Sequence, residues 1–166
     1  MSMMTRQINI QRVSAVSSKP FEAVVEAIER AVGRPDMREF SRQMATAATF
    51  AGIVDAVQKS VGSAGLMEFA RFDLGAVLRK ESGQAAPKIL RLVIGNPLVM
   101  KEMVKHVPDA GAYAPVTILI DERTDGVHLS YDRMAAFLAP YENPQALQVA
   151  RDLDAKVEKL LVEASS

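Results

Sequence analysis

Apolar positions along this chain switch between a period of two and a period near 3.6, and each switch marks an element. Residues 6–17 alternate in short β-branched runs, Ile8 and Ile10 and then Val13 and Ala15, with a slip of register near Gln11. That pattern predicts a bulged or bent edge strand. Ser18 stands as an N-cap with Pro20 in the first turn, and Phe21, Val24, Val25, Ile28 and Val32 follow at helical spacing up to a stop at Gly33. Asp36 to Glu39 opens a second helix in the manner of a capping box. Its apolar positions Phe40, Met44, Ala47, Ala51, Val54, Val57 and Val61 run to a break at Gly62-Ser63.

Gly65 to Arg79 reads as a strand ending near Gly75, and Lys80 to Pro87 as a loop. Ile89, Leu90, Leu92, Val93 and Ile94 make a nearly continuous apolar run, which predicts a central strand of the sheet. Asn96 then caps a helix whose first position is Pro97, with Val99, Met103, His106 and Val107 on one face. Val116, Ile118 and Ile120 alternate with Thr117, Leu119 and Asp121, Thr124-Asp125-Gly126 turns the chain, and Val127, Leu129 and Tyr131 alternate on the return. After a loop through Pro140, Asn143 and Pro144 start a last helix of roughly 30 Å at 1.5 Å per residue. Its stripe is Leu147, Ala150, Leu153, Val157, Leu160 and Ala164. Strands joined by a hairpin, with helices gathered on one face, predict an α+β two-layer sandwich built on an antiparallel sheet. The chain reads as one domain over 1–166, with a helical insertion at about 36–62.

Composition narrows the function classes. Twenty Lys and Arg against twenty Asp and Glu leave no net charge, which disfavours nucleic acid as a partner because counterion release needs surplus cations. Near-zero charge also favours self-association, and a homodimer is expected. The absence of cysteine excludes disulfides, thiolate catalysis and Cys-ligated metals. No apolar run approaches the ~20 residues that span a bilayer and the N-terminus lacks a signal-peptide core, so no membrane partner is expected and the cytoplasm is the default location.

The ordered motifs IGNPLVMKEM from Ile94, the YAP of Tyr113 to Pro115, the DG of Asp125-Gly126, the YD of Tyr131-Asp132 and LDAKVEKL from Leu153 resemble the bacterial domain of unknown function 302 family. GLMEFARFDLG upstream resembles a subgroup of that family with an extra helix. The resemblance implies a two-layer fold like that of the TATA-box-binding protein and implies no agreed activity. The family pattern reads Asp-His-Gly where this chain has Asp73-Leu74-Gly75, so any chemistry resting on that His is lost here.

Candidate chemistry is sparse. Gly95-Asn96-Pro97 at a strand-to-helix junction aims backbone N–H groups outward, as anion sites do, or else serves only to turn and cap the helix. Asp73, Asp121 and Asp132 lie near strand ends, where converging carboxylates act as acid and base and solitary ones cap turns. His106 with Met103 suggests a soft-metal or haem pair, against the commoner role of core filler, and His128 points outward. Tyr113 and Tyr141, each near a proline, suit a cleft wall with a hydrogen-bonding tip. The expectation is a non-catalytic homodimer that holds a small organic or anionic ligand between sheet and long helix. Its candidate residues are Gly95, Asn96, Tyr113, Asp121 and Tyr131, with Asp73 behind them and no metal or cofactor. The alternatives are a small enzyme using Asp73 or Asp121 with His106, and an interaction module pairing through the edge strand.

Overall fold

The computed structural model describes residues 3–83 and 86–166. The strict alternation becomes a hairpin: β4 (Val116–Arg123) buries Val116, Ile118 and Ile120, and β5 (Gly126–Asp132) buries Val127, Leu129 and Tyr131. Ile118 stands opposite Tyr131 and Ile120 opposite Leu129, so all six side chains share one face. β1 (Arg12–Ser17) pairs with β5, β3 (Ile89–Gly95) with β4 and β2 (Met67–Asp73) with β3. Every pairing is antiparallel and the order is β1-β5-β4-β3-β2. β1 is an edge and β3 is interior, as the pattern predicts. The first strand is shorter than the stretch 6–17, because pairing begins only at Arg12.

Helices cover the apolar face. α1 (Phe21–Ala31) sets Val24, Val25 and Ile28 into the core, and α7 (Pro144–Ser165) adds Ala146, Ala150, Leu153, Val157, Leu160 and Ala164. At 22 residues α7 is about 33 Å long and packs along β1 and β5. α5 (Pro97–Val104) and α6 (Met134–Leu138) lie against α7. The result is the α+β two-layer arrangement, with the opposite face of the sheet left open. Among the described residues, no helix is long and apolar enough to cross a membrane.

Local chemistry overrides the periodicity in four places. The helix expected over 36–61 is two helices, α2 (Met37–Thr46) and α3 (Phe50–Ser60), because Ala47 turns extended and the Thr49 side chain caps Gly52 N–H at 3.2 Å. Their residues Phe40 and Val57 join Met67 in a second apolar cluster beside the main core. The strand expected to end near Gly75 stops at Asp73, whose carboxylate accepts from Ala76 N–H at 3.0 Å and starts α4 (Gly75–Ser82). The expected loop at 80–87 therefore begins as helix, and Gln84 and Ala85 in it lie outside the described residues, as do the first two of the chain. The loop expected before Pro140 contains α6. Ser18 is not the cap of α1: Pro20 occupies that position, and the Ser17 hydroxyl accepts from Lys19 N–H at 3.2 Å.

Candidate functional site

Tyr131 and Asp154 form a buried polar pair. Tyr131 is 1% exposed and Asp154 is 4% exposed, although one is a strand residue and the other sits on α7. The Tyr131 hydroxyl donates to Asp154 Oδ1 at 2.6 Å, Met134 N–H donates to the same oxygen at 2.7 Å, and Ala135 N–H donates to Oδ2 at 3.0 Å. Asp154 thus caps α6 from a neighbouring helix and ties it to β5. Burial and the adjacent carboxylate push the Tyr131 phenol above its usual range, so it stays a donor. Burial also pushes the Asp154 carboxyl up, against the opposing pull of its three donors. Tyr131 is therefore spent on architecture. Its ring lies in the helix layer, where the space between sheet and α7 is packed with core residues.

The Gly95-Asn96-Pro97 junction is likewise committed. Asn96 Oδ1 accepts from Leu98 N–H at 2.9 Å and its amide donates to Gly65 O at 3.0 Å. Pro97 has no N–H to offer, so the capping role is the one observed.

The strand-end carboxylates do not converge. Asp73 stands opposite Leu90, whose side chain is buried under the helices, whereas Asp121 stands opposite Ile89 and His128 on the open face. Asp73 pairs with Arg79, and Asp121 with Arg123 at 2.5 Å. His106 is exposed, in the turn after α5, rather than on a buried helical face as its spacing predicts. The helix ends at Val104, two residues earlier, which swings the imidazole out. That turn leads into β4 at Val116, the end away from Asp121. His128 is more covered than expected, and its Nε2 meets Asp125 Oδ1 at 2.8 Å. Among the described residues no group of three or more His, Asp or Glu is placed to hold a metal ion.

A hollow lined by both polar and apolar side chains lies on the open face. It measures about 420 Å³, and its walls include Arg12, Arg91, Tyr113, Thr117, Ser130 and Phe137. Tyr113 stacks on Phe137 with ring centroids 4.8 Å apart and 16° between planes, and its hydroxyl meets that of Tyr141 at 3.1 Å. Hydrogen bonding to Tyr113 raises the Tyr141 phenol above its usual range. Four arginines lie on strands. Arg12 grips Asp132 through two bonds of 2.7 and 2.8 Å, Arg71 is held by Glu29 and Glu68, and Arg123 by Asp121. Arg91, between Leu119 and Phe72 on neighbouring strands, has no carboxylate within 4.0 Å among the described residues. Of the residues the sequence singles out, Tyr113 and Asp132 offer this hollow side chains that are not buried, and the Asp132 carboxylate is engaged by Arg12.

The profile of the domain of unknown function DUF302 matches residues 40–164. No curated protein matches the chain. The crystal structure of an uncharacterized conserved protein DUF302 from Bacillus stearothermophilus is similar in fold, with a TM-score of 0.64 at 11% identity, over 92% of this chain and 97% of that one.

Proposed function

We propose that this protein, which belongs to the DUF302 family, binds a small organic anion on the open face of its sheet without transforming it. The observation that carries this reading is Arg91: a strand guanidinium with no carboxylate partner among the described residues, at a hollow large enough for a metabolite-sized ligand. Arg offers a planar fork that matches a carboxylate or phosphate. The Tyr113–Phe137 stack supplies an apolar wall, and the Thr117 and Ser130 hydroxyls lie on the same face as Arg91. The separation of Asp73 from Asp121, each held by its own arginine, supports binding over acid–base chemistry. Both charge signs are present on the open face, which supports a small ligand over a nucleic acid.

Benzoate, a carboxylate on a flat ring, is a suitable probe. Arg91→Gln is expected to weaken its binding about ten- to a hundredfold in an NMR titration, the loss of a charged hydrogen bond worth about 1.5–3 kcal/mol. Its urea midpoint should match that of the unsubstituted protein, since Arg91 holds no partner. Equal benzoate affinity in the two proteins would remove the reading.

Dimerisation is part of the same proposal. Phe72, Leu74, Val77 and Leu78 remain exposed at 48, 43, 73 and 37% along the end of β2 and α4, an apolar patch on a chain without net charge. Sedimentation velocity is expected to find a dimer that Val77→Glu dissociates. A monomer without the substitution, or an intact dimer with it, contradicts this interface.

A further inference from the structure

A second hollow, of about 150 Å³, lies where the main core and the smaller cluster of α2 and α3 meet. Met103, Val116 and Leu153 belong to the first packing unit and Phe69 to the second, so the space is a seam between two separately packed groups. Its chemistry is the opposite of that around Arg91. Asn96 supplies the one polar side chain of the walls, and both ends of its amide are engaged with Leu98 N–H and Gly65 O. No polar side chain remains to hold an anion or to fix water, and a water needs two to four polar partners to stay in such a place.

Gly95 keeps the seam open. Its φ is not positive, so the backbone does not require glycine there. A Cβ at this position would stand 3.3 Å from Pro115 Cβ and 3.5 Å from Phe69 Cε2, between two walls of the hollow. Met100 and Met103 line it as well, and their unbranched thioethers adjust to the outline of an occupant.

We propose that this seam is a binding site for a small apolar group of about the volume of a benzene ring, distinct from the anion site on the open face. The two hollows share only Pro115 and Val116. A benzene-sized group seated there removes its own apolar surface and that of the carbon-lined walls from water, which favours occupancy.

The test is a benzene titration of the full chain labelled with ¹³C at the methionine methyls. The Met100 and Met103 signals are expected to shift and saturate, while those of Met37, Met44 and Met134 stay in place. Gly95→Ala should weaken binding tenfold or more, and Met100→Phe, filling the seam from a half-exposed helical position, should do the same if the alanine variant does not fold. Arg91→Gln should bind benzene as the unsubstituted protein does, so failure at the anion site and failure here read differently. Absence of a saturable shift, or equal shifts at every methionine, overturns the assignment.

Discussion

Replacing Asp154 with alanine is expected to remove about 3–5 kcal/mol of stability, measured by urea denaturation. The change removes the acceptor of three donors at once, the Tyr131 hydroxyl and the N–H groups of Met134 and Ala135 that open α6, of which Met134 N–H keeps only a longer bond of 3.3 Å to the Tyr131 hydroxyl oxygen. Each buried donor left without a partner costs about 1–3 kcal/mol. Tyr131→Phe removes one donor and leaves the carboxylate its two backbone partners, so about 1–2 kcal/mol is expected there. The titration has a definite sign. The native carboxyl lies above its ordinary range because burial disfavours the anion, so the folded chain binds more protons at this position than the unfolded one. The stability of the unsubstituted protein relative to Asp154→Asn should therefore rise as pH falls through the native value and level off once the unfolded carboxyl is protonated too. An Asp154→Ala variant within 1 kcal/mol of the parent would show that the hydrogen bonds carry no net stability.

This pair also shows what one sequence makes legible. The alternation over β4 and β5 and the stripe of α7 could be read directly, because burial against a layer imposes their periods. Asp154 falls on that same stripe, four residues after Ala150 and three before Val157, and a carboxylate among apolar neighbours signals a buried acceptor. Its donors could not be found the same way, since Tyr131 is 23 residues away in the chain and α6 is a single turn too short to show a period. Arg91 was hidden by a different physical cause. It interrupts the run from Ile89 to Ile94, whose apolar weight marks a central strand but not which of its faces stays open. Leu90 and Leu92 are buried under the helices, which leaves the alternate position, and its charge, on the open face. The central-strand reading held, and the hollow follows from the face that the helices leave uncovered. Gly95 and Asn96 were visible as a junction. Their part in an apolar seam depends on Phe69 and Leu153, which only tertiary packing brings near.

Gly33→Ala and Gly62→Ala should each destabilise the fold by about 3 kcal/mol or more, at the upper end of overpacking changes. The reason is crowding rather than backbone freedom, since neither glycine has a positive φ. A Cβ on Gly33 would stand 1.9 Å from Ser60 O, and one on Gly62 would stand 2.3 Å from Ala31 O. Both obstructing atoms are backbone, so no side-chain rotation relieves them. Separating the two strands of chain would also break the bonds that close the junction, where Gly33 N–H and Gly62 N–H each donate to Leu66 O at 2.9 Å and Glu68 N–H donates to Gly33 O at 2.8 Å. That junction joins the end of α1 to the start of β2 and fixes where α2 and α3 leave the sheet. Gly83→Ala separates the two effects: Gly83 has φ +83° and ψ −162° but nothing among the described residues within 4 Å of an added Cβ, so only the positive-φ backbone is penalised, at about 1–3 kcal/mol. The double variant Gly33→Ala, Gly62→Ala should cost less than the sum of its parts, because one displacement relieves both clashes. Urea midpoints for the four variants decide the matter, and single-glycine variants as stable as the Gly83 control would mean that the junction yields without loss.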